Sequence, residues 1–292
     1  MSGVRKAYDG ETLPPNWMWT GRTRGIVWVC RLEGSTDALA DPHTAAAAEE
    51  FLKRLHWSSQ GVVSSFAGRY IKWSGDGFLA LFPADDEAGL RQAARSAIAA
   101  ARHLSLLVDA TQVGVKAGHG RFKVRHGITH EKDALAMHYG EPALLFDLLG
   151  RDVALAFRLS GVPAPFPGIC TTDEVVEEWG MPKTGPVAFE RRTFTKDEAL
   201  MFFGGGKAQA SRVVVSKDLR KARERGPLQR PAAQARSTTK AQAPVWDDQV
   251  HAWAVFLVAG PQWARDAYRS YGHVLQKELA PSAAPLNASL VT

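Results

Sequence analysis

The sequence predicts an α+β sandwich in which strands and helices follow the ferredoxin-like order βαββαβ, with a helical appendage towards the C-terminal end. Three observations support this prediction: a short apolar run over 25–30, two strand-like runs that flank a Gly-Asp-Gly turn, and Ala-rich helical patterns between the strand runs. Hydrophobic residues make up 45% and charged residues 23% of the 292 residues, the balance of a globular protein that buries a core.

The predicted elements follow from local patterns along the chain. Residues 25–30 read GIVWVC, which is typical of a buried strand, and Gly34-Ser35-Thr36 ends that strand. An Asp-Gly pair between two strand runs indicates a hairpin. Thr172 is predicted as the N-cap of a helix. The remaining predictions are a helix over about 44–60, strands 69–73 and 78–82, a helix to about 108, a strand over 121–128, a loop to about 143, a strand 144–146, a helix 150–159, a strand 169–171, a helix 172–179 and a strand 212–215.

Composition divides the chain into a folded body and its appendages. We predict an N-terminal arm over 1–24, the folded domain over 25–215, a pair of helices over 246–280 and a tail over 281–292. The segment 216–245 holds eight Lys/Arg residues against two acids, a surplus that equals the net charge of +6 of the whole chain. This segment lacks aromatic residues and is rich in Ala, Gln, Ser, Thr and Pro, so it is predicted to be a basic disordered linker.

Several functional classes are excluded by composition. The two cysteines, Cys30 and Cys170, do not make a disulfide scaffold and indicate a cytoplasmic protein. The N-terminal segment lacks the apolar core of a signal peptide, and the apolar, uncharged stretch near the end, 252–264, is too short to span a membrane. The basic segment is interpreted as a solvated linker, so a nucleic-acid partner is not expected.

The predicted hairpin over 70–82, which reads YIKWSGDGFLALF, carries the clearest chemical signal. A carboxylate at a hairpin tip, here Asp76, is held rigidly and suits metal binding. Lys72 lies four residues earlier and points to the same neighbourhood. A tight turn favours these same residue types, so the hairpin alone leaves a plain structural turn open.

Three segments in order resemble the signatures of the class III nucleotidyl cyclase catalytic domain, the adenylate/guanylate cyclase family. Residues 72–78 (KWSGDGF) match the pattern K-x-x-G-D-G/A-F. Residues 31–36 (RLEGST) are similar to D-I/L-V-G-S/F-T, and residues 147–159 (DLLGRDVALAFRL) to D-x-x-G-x-x-V-N-x-A-A-R-L. Residues 124–128 (VRHGI) resemble the strand R-x-G-I-H of the family. The resemblance covers about 25–215 and implies a cyclase-type sandwich.

The resemblance implies an enzyme that converts a nucleoside triphosphate to a 3′,5′-cyclic nucleotide and pyrophosphate for second-messenger signalling. It implies a homodimer with sites at the interface, and Mg²⁺ or Mn²⁺ as the cofactor. The roles implied are metal binding for Asp76, base contacts for Lys72 and Asp147, stabilisation of phosphate charge for Arg158, and backbone contacts to phosphate from Gly34, Ser35 and Thr36.

Two positions depart from the family pattern. Arg31 stands where the first metal-binding Asp belongs, and Ala154 stands where an Asn should position the ribose. In one interpretation Glu33 replaces the missing ligand, because positions i and i+2 of a strand share a face. In a second, Arg31 itself binds the triphosphate. In a third, Arg31 pairs with Asp76, and the chain is a catalytically degenerate module that pairs with or regulates a partner.

The substrate base stays open at this stage. Stand-alone cyclases of this kind resemble, among others, the pyrimidine cyclases of bacterial anti-phage systems, whose cyclic product switches on a downstream effector. The base-reading positions Lys72 and Asp147 look instead like those of the ATP-using members.

Overall fold

A computed structural model of the chain describes residues 17–111, 122–139, 144–178, 187–218 and 259–266. The strands are β1 Trp17–Glu33, β2 Arg69–Ser74, β3 Gly77–Pro83, β4 Lys123–Tyr139, β5 Leu144–Leu149, β6 Ile169–Thr172, β7 Phe189–Arg191 and β8 Val213–Ser216. The α-helices are α1 Ser35–Ala40, α2 Ala45–Ser65, α3 Glu87–Thr111, α4 Arg151–Gly161, α5 Lys196–Phe203 and α6 Lys207–Ala210, and a short π-helix spans Glu174–Glu178.

The strands form one eight-stranded sheet in the order β2-β3-β1-β4-β6-β8-β7, and β5 pairs with the far end of β4. The central strand β1 runs antiparallel to both β3 and β4. Strand β6 runs parallel to β4 and antiparallel to β8. The first four strands, together with α2 and α3, reproduce the βαββαβ order, so the predicted α+β fold class is confirmed.

Both faces of β1 are covered, which explains why its apolar run shows no alternation. Trp28 lies in the core cluster that β1 and β3 share with α2 and α3, and its ring meets Phe78 edge-on at 4.8 Å. Val27 and Val29 point to the opposite face, where they join a second cluster with Val153 of α4. The central strand β1 thus packs between two helical layers, which fix the position of its C-terminal end.

The hairpin, the two long helices, α4, β6 and β8 form where the sequence predicted them. Four elements, α1, β7, α5 and α6, were not predicted. β1 begins at Trp17, inside the segment predicted as an arm. The predicted loop after 128 was wrong, because β4 continues to Tyr139 and pairs there with the first half of β1. Tertiary pairing therefore overrides the weak polar pattern of this stretch.

Thr172 does not cap a helix as predicted. It is the last residue of β6, and its hydroxyl has no hydrogen-bond partner among the described residues. The helical residues that follow form the π-helix Glu174–Glu178.

Most of the predicted appendages lie outside the described residues. Of the predicted linker only 216–218 is described, and of the predicted helical pair only 259–266. In this last piece the Trp263 ring packs edge-on against Trp57 of α2, with ring centroids 5.2 Å apart. No helix in the described part of the chain is long and apolar enough to cross a membrane.

Candidate active site

A pocket of about 300 Å³ opens where β1 ends, beside the tip of the β2–β3 hairpin. Residues 31–37, Asp76, Arg125 and residues 160–161 line it. It therefore joins the end of β1, the start of α1, the hairpin, β4 and the end of α4. Two predicted groups, Asp76 and the Gly34-Ser35-Thr36 segment, meet in this pocket.

Backbone geometry fixes Asp76 against the end of β1. Gly75 adopts a left-handed φ of 63°, which the tight turn requires and which glycine adopts without strain. A Cβ on Gly77 would lie 1.9 Å from the carbonyl oxygen of Cys30, so only glycine lets the hairpin approach β1 this closely. The Leu32 N–H donates to the Asp76 carbonyl oxygen at 2.8 Å. The tip is consequently part of the sheet rather than a free loop.

The Asp76 carboxylate is engaged by two neighbours. Arg31 Nη2 lies 3.2 Å from Oδ2 of Asp76, and the Ser35 hydroxyl lies 3.3 Å from the same oxygen. Ser35 Oγ also lies 3.3 Å from the carbonyl oxygen of Leu32. The single hydroxyl hydrogen serves one of these two acceptors at a time. The Arg31 side chain is 48% exposed, so its ion pair with Asp76 is a weak surface pair.

A second ion pair stands beside the first, and the sequence analysis did not find it. Arg125 holds the Glu33 carboxylate at 2.5 Å through Nη2 and at 3.1 Å through Nε. Its Nη1 donates to the Gly161 carbonyl oxygen at 3.0 Å, which ties the pair to the end of α4. Glu33 therefore faces Arg125 rather than Asp76. The only sequence signal for Arg125 is its place in the VRHGI stretch, which resembles a strand of the cyclase family.

Lys72 and Asp147, the two predicted base contacts, form an ion pair with each other. Lys72 Nζ lies 2.5 Å from Asp147 Oδ2, and the Leu148 N–H donates to Asp147 Oδ1 at 2.8 Å. The contact joins β2 to β5, and neither residue lines the pocket. A donor and an acceptor thus stand side by side, which suits the donor–acceptor edge of a base.

Arg158 and Ala154 lie one helical turn apart on the exposed side of α4, which we call the Arg158 face. Within the described ranges, Arg158 makes no ion pair and no hydrogen bond through its side chain. It does not line the pocket of its own chain. The structure therefore does not bring Arg158 to Asp76 within one copy.

A buried glutamate that the sequence analysis missed supports the Arg158 face. The Glu131 carboxylate accepts from the N–H groups of Asp152 and Val153 at 2.9 and 3.1 Å, at the start of α4. The residue before the helix, Gly150, has no side chain to cap it, and a Cβ there would lie 2.1 Å from Glu131 Oε2. Strand β4 thus provides the cap of α4 from a distant part of the sequence.

A buried chain of hydrogen bonds lies in the core next to β1 and β4. The Trp28 indole donates to His126 Nδ1 at 3.1 Å, so Nε2 carries the ring hydrogen and donates to Ser105 Oγ at 2.7 Å. The Ser105 hydroxyl donates in turn to the Pro167 carbonyl oxygen at 2.7 Å. Burial lowers the pKa of His126 to about 3, so the ring stays neutral. Burial, aided by the charge of Asp76, raises the pKa of the Cys30 thiol, which is therefore protonated and unreactive.

The oxygen donors around Asp76 fit one divalent ion and do not fit two. Asp76 Oδ2, the Leu32 carbonyl and the Ser35 hydroxyl are hard ligands of the kind that Mg²⁺ and Mn²⁺ prefer. Among the described residues, no group of three His, Cys, Asp or Glu side chains is placed to hold a metal ion. The group next to the Asp76 carboxylate is the Arg31 guanidinium, a cation that cannot bind a second ion.

No protein family and no curated protein matches this chain. Solved structures do resemble it. The adenylyl cyclase CyaB from P. aeruginosa is 17% identical, with 68% of this chain and 95% of that chain covered, at a TM-score of 0.49. The guanylate cyclase domain of RhGC from Catenaria anguillulae in complex with GTP is 12% identical, with 67% and 97% covered, at 0.48. A class III adenylyl cyclase-like ATP-binding protein from Pseudomonas aeruginosa is 16% identical, with 64% and 40% covered, at 0.43.

Proposed function

We propose that the chain is a nucleotide cyclase that converts a nucleoside triphosphate to a 3′,5′-cyclic nucleotide and pyrophosphate. The observation that carries this proposal is the pocket itself, in which two guanidinium groups and three carboxylates surround a space at the end of β1. Guanidinium groups bind phosphate oxygens through paired, charge-assisted hydrogen bonds. A triphosphate that carries a divalent ion would offer oxygens to the guanidinium groups and a cation to Asp76.

In the proposed reaction the ribose 3′-oxygen bonds to the α-phosphorus, and the bond from that phosphorus to the bridging oxygen of the β-phosphate breaks. Pyrophosphate leaves with the electron pair, and the hydroxyl proton passes to water. Arg31 and Arg125 bind non-bridging oxygens and stabilise the charge that grows on the leaving group. Asp76, with the Leu32 carbonyl, would hold one Mg²⁺ or Mn²⁺, which supplies further positive charge to the triphosphate.

The proposed base contacts are Lys72 and Asp147. In the structure these two groups bind each other at 2.5 Å, so a base must separate them or bridge them. Lys72 would donate to an acceptor of the base, and Asp147 would accept from its neighbouring donor. Every common base offers such an edge, so the choice of base is left to experiment.

The proposed enzyme works as a homodimer. The exposed Arg158 lies outside the pocket of its own chain and has no ion-pair partner among the described residues. A second copy, docked through the Arg158 face, would deliver this cation to the triphosphate. Each site would then take the pocket from one chain and Arg158 from the other.

A second candidate function rests on the ion pair between Arg31 and Asp76. A cation at this carboxylate opposes metal binding. In this alternative the chain does not turn over substrate and instead pairs with, or regulates, a partner. The intact Lys72–Asp147 pair and the free Arg158 would let it complete the site of an active partner.

A turnover assay with each of the four nucleoside triphosphates and Mn²⁺ separates the two functions. The enzyme hypothesis predicts pyrophosphate and a 3′,5′-cyclic product from at least one of them, and no product from Asp76→Ala. A cyclic pyrimidine product would support the anti-phage signalling role with its downstream effector, and cyclic AMP would contradict it. No product from any of the four would favour the regulatory module.

A further inference from the structure

We infer that Arg31 acts as a resident cation that makes binding of a divalent ion at Asp76 conditional on a triphosphate. The inference rests on the proposed function and concerns how the pocket admits its ligands. It assigns to the residue that departs most from the family pattern a role in ligand coupling rather than a simple loss of function.

The charges of the resting pocket weaken the binding of either ligand alone. The lining holds two guanidinium groups, of Arg31 and Arg125, and three carboxylates, of Glu33, Asp37 and Asp76. A free divalent ion meets a carboxylate that already has a cation 3.2 Å away. A free triphosphate meets guanidinium groups that are already engaged by carboxylates, in a pocket with a small negative surplus.

The two ligands together resolve this conflict by exchange of partners. The Arg31 side chain is 48% exposed and the Asp76 side chain 24% exposed, so water screens their ion pair and the pair is weak. A multiply charged triphosphate therefore competes well for the Arg31 guanidinium. Once Arg31 turns to the phosphates, Asp76 Oδ2 is free beside the Ser35 hydroxyl, which lies 3.3 Å from it and 3.3 Å from the Leu32 carbonyl oxygen. These oxygens can then bind the ion.

The neighbouring ion pair of Arg125 and Glu33 cannot exchange partners in this way. Arg125 makes two contacts to Glu33 and a third to the Gly161 carbonyl, so it is anchored at both ends. The Arg31 guanidinium has Asp76 as its only ion-pair partner within the described segments. Arg31 is therefore the group that moves, and linkage requires that the ion and the triphosphate strengthen each other's binding by the same factor.

The experiment compares wild type with Arg31→Gln and Arg31→Ala, which remove the cation, and with Arg31→Lys, which keeps it. Binding of Mn²⁺ alone is followed by loss of the free-ion EPR signal. We expect Arg31→Gln and Arg31→Ala to bind Mn²⁺ about tenfold more tightly than wild type, within the usual range of coupling between sites. Arg31→Lys should resemble wild type. Arg22→Gln, which removes an exposed pair with Asp133 outside the pocket, is the matched control and should also resemble wild type.

A second arm measures the melting temperature with inorganic tripolyphosphate, Mn²⁺, or both. Wild type should be stabilised clearly only by the two together, because a ligand that binds the folded state raises its stability by mass action. Equal Mn²⁺ affinity in wild type, Arg31→Gln and Arg31→Ala would overturn the inference and leave the cyclase proposal standing. No stabilisation of wild type by tripolyphosphate under any condition would overturn the triphosphate site and, with it, the proposed function.

Discussion

The Asp76 pocket and the Arg158 face differ in how their charges are satisfied. In the pocket each cation has a carboxylate partner, at 3.2 Å for Arg31 and Asp76 and at 2.5 Å for Arg125 and Glu33. On the face, Arg158 is exposed and has no ion-pair partner in the part of the chain that the structure describes. The cations of the pocket are paired within one chain, whereas an exposed arginine without an ion-pair partner among the described residues is suited to act on another molecule.

The two regions share one supporting strand. Arg125 of β4 lines the pocket, and the next residue, His126, belongs to the buried chain of hydrogen bonds. Glu131 of the same strand caps α4, the helix that carries the Arg158 face. A substitution in β4 can therefore affect both regions, whereas substitutions of Asp76 and Arg158, which lie outside β4, test each region separately.

The largest effects are expected on turnover. Asp76→Ala and Arg158→Ala should each lower kcat at least about 100-fold, because the first removes the proposed ligand of the divalent ion and the second removes a cation that stabilises transition-state charge. Neither change removes buried apolar surface, so the melting temperature should stay close to that of wild type. Steady-state kinetics and thermal unfolding check this, with Arg22→Ala as the control. If Arg158→Ala keeps full activity, the Arg158 face has no part in the site.

Removal of the buried cap should cost stability. Glu131→Ala leaves the N–H groups of Asp152 and Val153 without their acceptor, and we expect a loss of about 2 kcal/mol in the free energy of unfolding. Urea denaturation measures it. Glu87→Ala, which removes an exposed helical pair with Arg91, should cost less than about 0.5 kcal/mol. Equal effects of the two changes would mean that Glu131 does not support α4.

The buried hydrogen-bond chain that contains His126 should make the stability of the protein depend on pH. Burial lowers the pKa of His126 from 6.5 to about 3 in the folded state. Because the pKa of His126 is lower in the folded than in the unfolded chain, the unfolded chain takes up the proton first as the pH falls. The contribution of His126 to the free energy of unfolding is therefore complete above pH 6.5 and is lost as the pH falls towards 3. The expected slope is about 1.4 kcal/mol per pH unit from this residue.

Urea denaturation between pH 7 and pH 5 tests this slope. His103 has a pKa lowered to about 3 by burial and, secondarily, by Arg102, so it adds to the wild-type slope. The comparison with His126→Gln isolates the contribution of His126. An unchanged slope in this variant would show that His126 does not control the pH response.

The smallest effect is expected at the base contacts. Lys72→Ala should raise KM for the preferred nucleotide about tenfold, equivalent to about 1.4 kcal/mol, because a contact remote from the reacting phosphorus contributes binding energy. The value of kcat should change little. The exposed Lys53 of α2 provides the control, through Lys53→Ala. A fall in kcat with constant KM would place Lys72 at the chemistry instead of the base.

Sequence patterns predicted the parts of the site that depend on local signals. The Gly-Asp-Gly turn placed Asp76 at a hairpin tip, and the comparison of motifs singled out Arg31 and Arg158. The partners of these residues depend on pairing across the sheet, which no local signal carries. Glu33 and Arg125 are 92 positions apart in the sequence. Glu131 caps α4 by accepting from the N–H of Val153, which lies 22 positions later. Such contacts exist only once β1 and β4 are in register.

Mixing two inactive variants tests most directly whether the pocket and the Arg158 face form one site between two chains. Asp76→Ala and Arg158→Ala, each without turnover alone, are combined in equal amounts and allowed to exchange subunits. Random pairing makes half of the dimers mixed, each with one intact site, so recovery of about a quarter of wild-type activity is expected. If mixed dimers are shown to form and no activity returns, the shared site is contradicted.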